Sequence, residues 1–237
     1  MTINLHIHSN FSDGKNSISQ IVKEALLNDL EIIAITDHST NSWKSQIIPS
    51  LNSNEKIKKY LSLIRAEQKV ILARDLDLII LKGIEIDIGS SKSFIEGLVN
   101  PLDFDIILFE YLETEEGLNF CKELIDKWRK GNIQKDFPIL GLAHFDPSFF
   151  LYSDLDLLID FLKKYGIFLE FNTRYSEFFS LKYQSFFQEI KKHNILISMG
   201  SDAHELHQLM DLESATEIIE CYGLAGNLRN LIGVIKK

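Results

Sequence analysis

The chain has little cysteine, little proline and no excess of positive charge, and each shortage closes off a class of protein. Its two cysteines, Cys121 and Cys221, stand far apart and form no CxxC pair. They provide neither a disulfide framework nor a thiolate zinc site, so both are expected to be reduced, which fits the cytosol. With four prolines and twelve glycines in 237 residues, no Pro/Gly-rich linker, repeat or low-complexity tract divides the chain. The formal net charge of -9 disfavours nucleic acid or an anionic membrane as the main partner, because those surfaces attract basic proteins. A small anionic molecule stays open, since bound divalent ions reverse the local sign. There is no run of about 18 uncharged apolar residues. The strand pattern begins at Thr2 without a basic, apolar leader, so neither membrane insertion nor export is expected and the cytoplasm is the expected compartment.

What the chain does have is core-forming material. A hydrophobic fraction of 45% against 25% charged residues can bury a sizeable interior. Barrel folds of about 200–250 residues commonly form one domain, so residues 1–237 are read as a single domain. Seven short apolar runs read as strands: Thr2 to His8, Ile32 to Thr36, Leu78 to Ile86, Phe104 to Phe109, Ile139 to Ala143, Ile167 to Phe171 and Ile195 to Met199. The third is expected to continue as a hairpin past Gly89. Between the strands, helical spacing recurs over Ser17 to Leu27, Asn54 to Asp75, Glu115 to Lys130, Ser153 to Tyr165 and Ser176 to Asn194. Strands apolar on both sides, separated by helix-sized intervals, imply an α/β fold with parallel strands inside and helices outside. The one loop-rich interval, Ser39 to Ser53, is a candidate lid or substrate loop.

The chemistry-bearing residues fall at the strand ends. On a strand, His6 and His8 point to one face while Leu5 and Ile7 point to the other, so two imidazoles converge. The next strands end in Thr36-Asp37-His38, Gly83-Ile84-Glu85 and Ala143-His144, and the last runs into Gly200-Ser201-Asp202-Ala203-His204. Five of the seven histidines thus follow apolar strands, where barrel enzymes place their catalytic groups. Imidazoles mixed with carboxylates suit zinc, iron or manganese, and several carboxylates allow more than one ion. Asn172 ends the sixth strand and is a candidate substrate contact. Arg174, two residues on, is the only fixed cation expected near the site, and its fork shape suits a phosphate. Asp37 is expected to orient a ligand or the nearby backbone, and Asp146 to act likewise. His193 is read as structural, at a helix end where a cation suits the dipole.

These residues resemble the PHP family, the polymerase and histidinol phosphatase superfamily, over nearly the whole chain. The matching pieces are Leu5-His6-Ile7-His8-Ser9 with Ser12-Asp13-Gly14, Ala34-Ile35-Thr36-Asp37-His38-Ser39-Thr40, Glu85, His144 and Ser201-Asp202-Ala203-His204. The resemblance implies a distorted seven-stranded β/α barrel of TIM-like form holding two or three divalent ions. It implies that His6, His8, Glu85 and Asp202 surround one ion, that Asp13, His38 and His204 hold another, and that Glu85 and His144 serve a third position. Members usually carry a histidine just after the fourth strand, where this chain has Glu110; the carboxylate is a candidate replacement ligand.

The implied reaction is hydrolysis of a small phosphate ester, such as histidinol phosphate or a nucleotide, by metal-activated hydroxide. Arg174 would then bind the phosphoryl group, and Asp13 and His204 are the candidates for protonating the departing alcohol. Two other classes share parts of the pattern. A carbon–nitrogen hydrolase of the amidohydrolase kind also begins with HxH, but adds a bridging lysine after the fourth strand, where Glu110 stands here. A metal-binding PHP module without activity is the other.

Overall fold

Runs such as Ile32–Ile35 and Ile106–Phe109, apolar on successive residues, can be buried only if both faces of their sheet are covered. The computed structural model, which describes residues 2–131, 137–151 and 155–237, meets that demand with a parallel barrel. Its strands are β1 (Ile3–Ile7), β2 (Ile32–Ile35), β3 (His38–Ser39), β4 (Ile79–Asp87), β5 (Ile106–Glu110), β6 (Ile139–Leu142), β7 (Phe168–Asn172) and β8 (Ile197–Gly200). The order is β1-β2-β4-β5-β6-β7-β8, all parallel, and the two-residue β3 pairs only with β4. Seven strands were expected and seven make the barrel.

Closure falls where β1 meets the segment after β8. The His8 N–H donates to the Ala203 carbonyl at 2.9 Å, and the Ala203 N–H to the His6 carbonyl at 3.4 Å. The seam therefore ties the HxH strand directly to the Asp202–His204 segment.

Helices cover the outside: α1 (Ile18–Leu27), α2 (Asn54–Ala73), α3 (Lys92–Leu98), α4 (Glu115–Gly131), α5 (Leu155–Tyr165), α6 (Gln184–Lys192), α7 (Glu213–Tyr222) and α8 (Ala225–Ile235). In α1 the sequence signals are all used. The Ser17 hydroxyl accepts from the Gln20 N–H at 3.3 Å, and Gln20 Oε1 accepts from the Ser17 N–H at 2.9 Å. Ile18, Ile21, Val22 and Ala25 then bury one stripe against the barrel. The buried side chains form one continuous core, in which Cys121 is wholly enclosed with its thiol pushed up to about 12 by burial. Cys221 is exposed. Among the described residues no helix is long and apolar enough to cross a membrane.

Three expectations need correction. No hairpin follows Gly89, because β5 pairs with β4 in parallel; instead Asp87 Oδ1 accepts from the Gly89 N–H at 2.8 Å, and the turned chain enters α3. The helix expected over 176–194 is α-helical only from Gln184, with 3-10 turns before it. The Tyr222 hydroxyl takes the carbonyls of Phe179 (3.0 Å) and Ser180 (2.7 Å), which an α-helix would have used, and Ser180 is extended. Finally, the sequence reading left the stretch after His204 unassigned; α7 and α8 lie there, and α8 packs beside β8. The expected start of α5 at Ser153 lies outside the described residues.

β6 and β7 pack so closely that Gly141 faces the Phe168 ring, to which it is paired in register. A Cβ at Gly141 would stand 2.2 Å from Phe168 Cζ, and that ring is fully buried. Gly141→Ala is therefore expected to cost about 1–3 kcal/mol through overpacking. Thermal denaturation should show a melting temperature roughly 3–10 °C lower. An unchanged midpoint would contradict this packing.

Candidate metal centre

Alternation along β1 sends His6 and His8 into the barrel mouth, where both are buried. Their Nε2 atoms lie 3.0 Å apart. Around them gather His38 on β3, Glu85 on β4, Glu110 at the end of β5, His144 after β6, and Asp202 and His204 after β8. Asp13 arrives from the loop after β1. Three non-glycine residues here take left-handed backbone angles: Tyr111 (φ 65°), His144 (φ 33°) and Asp202 (φ 51°). Such conformations cost roughly 1–3 kcal/mol each and gather where side chains must be aimed at a site.

The donor atoms form overlapping groups. His6, His8 and Asp202 make one, with His8 Nε2 2.9 Å from Asp202 Oδ1. Glu85 completes it at 3.3 Å from His6 Nε2 and 3.6 Å from His8 Nε2. His8, Asp13, His38 and His204 make a second, in which Asp13 Oδ2 is 3.1 Å from His204 Nε2 and 3.7 Å from His38 Nε2. His38, Glu85 and Glu110 make a third. Beside it His144 Nε2 stands 3.3 Å from Glu85 Oε1 and 3.8 Å from Glu110 Oε2.

These residues fit metal ions. Buried carboxylate oxygens ordinarily have hydrogen-bond partners, yet both oxygens of Glu85, Oε1 of Glu110 and Oδ1 of Asp13 have none. His38 Nδ1 lies 2.7 Å from Glu85 Oε2 without the alignment of a hydrogen bond. Close, unaligned donor atoms of imidazole and carboxylate are the set that zinc, manganese or iron takes.

Supporting residues fix the imidazoles. Glu170 takes Nδ1 of His6 at 2.9 Å, leaving Nε2 for the cluster, and also accepts the His144 N–H at 2.7 Å. A Cβ at Gly200 would stand 1.9 Å from Glu170 Oε1, so only glycine admits this carboxylate. Asp37 accepts from the N–H and hydroxyl of Ser9 (2.9 and 2.6 Å) and of Ser12 (2.9 and 2.6 Å), and Ser12 Oγ lies 3.3 Å from His8 Nδ1. His204 Nδ1 faces the Asp202 carbonyl at 2.7 Å. Glu170 escaped the sequence reading, although the period of two that exposes Asn172 puts Glu170 on the same face.

Asn172 is buried behind this layer. Its Nδ2 donates to Glu170 Oε2 at 3.1 Å and its Oδ1 accepts the Arg174 N–H at 3.1 Å, so it holds Glu170 in place. Arg174 reaches the mouth, with Nη1 2.9 Å from His204 Nδ1 and 3.4 Å from Asp202 Oδ2. It is not the only fixed cation there: Lys44, from the loop after β3, puts Nζ 2.6 Å from Glu110 Oε2. No spacing in the sequence links those two residues. Away from the mouth, Asp146 caps a short 3-10 turn by accepting from the Ser148 N–H, His193 caps α6, and His207 is exposed beside Glu205. Above the cluster lies a cleft of about 230 Å³ lined by Asp13, Lys44, Glu110, Arg174 and Tyr175 among others.

The charges are interlocked. Burial pushes His6 down, but Glu170, Glu85 and Asp202 outweigh it and raise its pKa well above the usual value. Against the same burial penalty, Glu85 and Glu110 raise His38, Glu85 raises His144, and Asp13 and Asp202 raise His204. His8 is lowered by burial and by His38. Burial opposes ionisation of Asp13, Glu85 and Asp202, yet the surrounding imidazoles hold all three below the carboxylate range.

A parallel barrel whose mouth gathers five histidines and four acidic side chains is the architecture of a barrel protein with groups able to bind metal ions. The chain belongs to the PHP domain family, which matches residues 4–174. No curated protein sequence matches it significantly. Among solved structures, the fold is similar to histidinol phosphate phosphatase of Lactococcus lactis, determined with zinc, L-histidinol and phosphate. The TM-score is 0.65 at 16% identity, covering 94% of each chain. It is also similar to the fold described for YwqE of Bacillus subtilis and CpsB of Streptococcus pneumoniae, metal-dependent tyrosine phosphatases. There the TM-score is 0.56 at 17% identity, covering 92% of this chain and 86% of that one.

Neighbouring carboxylates raise the pKa of four of the five imidazoles, which favours the protonated form, whereas a ligating imidazole must be neutral. Metal binding at neutral pH should therefore release protons, and affinity should rise with pH. Calorimetric titration of manganese or zinc in buffers of different ionisation enthalpy should show release of more than about one proton per chain. No buffer dependence would contradict it.

Proposed function

We propose that this protein is a metal-dependent phosphatase acting on a small phosphomonoester in the cleft above the cluster. The observation that carries the reading is the set of unpartnered buried carboxylate oxygens among convergent imidazoles, with Arg174 at its rim. Membership of the PHP family supports it, as does the likeness in fold to metal-dependent phosphatases.

In this reading His6, His8, Glu85 and Asp202 hold one ion, and Asp13, His38 and His204 hold a second. Beside them Glu85 and Glu110, with His144 adjacent, belong to the third group, which Lys44 crowds. The donor set suits zinc, manganese or iron. When bound, such ions activate water as a nucleophile at neutral pH and neutralise charge on the phosphoryl oxygens.

The chain's own groups do the rest. Arg174, half exposed at the rim, offers its fork to phosphate oxygens. Asp13 is held ionised by His204, His8 and His38 against the effect of burial, so at rest it accepts a proton and has none to give. Glu170, Asp37 and Asn172 keep the imidazoles oriented and touch no substrate. An adjoining pocket of about 190 Å³, sharing Tyr111, His144 and Tyr175 with the cleft and extended by Phe149 and Phe178, takes the organic part of the ester. Its aromatic walls favour a leaving group with a flat ring, a feature common to histidinol phosphate, nucleotides and phosphotyrosine.

The test is phosphate release from a panel of these esters by metal-reconstituted protein. Turnover should vanish on chelation and return with metal. His8→Ala and Asp202→Asn should each lower kcat/KM by about a thousandfold, or roughly 4 kcal/mol of transition-state stabilisation, with the circular dichroism spectrum kept. Arg174→Ala should weaken turnover roughly tenfold or more while metal content holds. Near-parental rates in His8→Ala and Asp202→Asn would overturn the assignment of the site. Hydrolysis of amides without phosphate release would replace the reading with a carbon–nitrogen hydrolase.

A further inference from the structure

Lys44 and Glu110 meet where the third group of donors converges. Glu110 is fully buried, and its two oxygens differ. Oε1 has no hydrogen-bond partner, whereas Oε2 lies 2.6 Å from Lys44 Nζ and 3.8 Å from His144 Nε2. An ion held by His144 and Glu110 Oε2 would have to share that oxygen with an ammonium already upon it.

Glu110 Oε1 has His38 Nδ1 near it, at 3.5 Å, and His38 is committed elsewhere. If His38 serves the second ion through Nε2, beside Asp13, its Nδ1 carries the proton, 2.7 Å from Glu85 Oε2 though not aligned on it. That nitrogen is then lost to a third ion. His144 Nε2 and Glu85 Oε1, 3.3 Å apart, remain with Glu110 Oε1 as donors facing a fixed positive charge.

Lys44 is not a loose surface side chain that has swung inward. Its side chain is 13% exposed, and Nζ lies 4.4 Å from the centre of the Tyr111 ring, which the left-handed backbone at Tyr111 carries beneath it. The turn that bears it, Trp43–Gln46, is capped by the Ser42 hydroxyl. Ser42 and Thr40 both donate to Asp87 Oδ2 at the end of β4, the latter at 2.8 Å. The ammonium is thus aimed by a loop that is itself tied to the barrel.

We infer that the Lys44 ammonium, locked onto Glu110, takes the place of a third metal ion, so that the centre binds two ions and Lys44 supplies the third positive charge facing the phosphoryl group. The inference rests on the metal-centre reading above. It follows the charge count: where a neutral histidine would leave room for a divalent ion, a carboxylate and an ammonium together are neutral and need none. An ammonium has three N–H donors, and Glu110 uses one. That leaves N–H donors for phosphoryl oxygens in the cleft, which Lys44 and Arg174 both line.

The experiment is metal counting by elemental analysis after equilibrium dialysis against manganese or zinc, on the full chain and on Lys44→Met and Lys44→Arg. The parent and Lys44→Arg should hold two ions per chain and Lys44→Met three, because Glu110 and His144 are then free to ligate. Inorganic phosphate, titrated into the two-ion form, should bind at least about tenfold more weakly to Lys44→Met than to the parent. Three ions in the parent, or two in Lys44→Met with unchanged phosphate affinity, overturn the role of Lys44 and leave the metal centre standing. No ion in the parent overturns both. Should Lys44→Met fail to fold, Lys44→Gln gives the same comparison, with three ions expected and two contradicting it.

Discussion

Carboxylates and imidazoles cannot be buried side by side at this density without cations to balance them, and that constraint organises the whole mouth of the barrel. Taking one charged group out of water costs several kcal/mol even after relaxation, and the cluster encloses Glu85, Glu110, Glu170 and Asp202 almost completely. Against those charges stand imidazoles whose pKa the carboxylates raise, together with Lys44 and Arg174. Several carboxylate oxygens still lack a partner. A protein that only needed to fold would place apolar side chains there; the proposed divalent ions and anionic substrate account for the arrangement.

The rest of the fold serves that placement. Parallel pairing puts every strand's C-terminal end at one rim, which is why residues from β1, β4 and β5 and from the turns after β6 and β8 meet. The seam between β1 and the segment after β8 brings His8 and Asp202 together through backbone hydrogen bonds before any side chain is counted. Behind the ligands, Glu170 and Asp37 act as anchors whose partners are backbone N–H groups as well as side chains, so the imidazoles inherit the rigidity of the barrel.

The strands and the donors at their ends were legible in the sequence because both obey short-range rules: alternation on β1, apolar runs for the parallel strands, and histidine or acid at each run's end. The inward face shared by Glu170 and Asn172 obeyed the same rule. What the sequence hid depends on contacts between distant residues. Lys44 meets Glu110 across a loop with no periodicity, and Gly200 matters only because Glu170 lies against it. The 3-10 course before α6 depends on the Tyr222 hydroxyl, which arrives from α7. Glu110 was visible as a departure from the pattern the resemblance implied, but the ammonium of Lys44 upon it was not.

The most direct test of the central claim, that the buried cluster is a centre for two divalent ions, is anomalous X-ray diffraction from crystals grown with manganese or zinc. The account predicts two peaks inside the barrel mouth, one among His6, His8, Glu85 and Asp202 and the other among Asp13, His38 and His204. Peaks confined to the surface, or none at all with the metal present in excess, would contradict it.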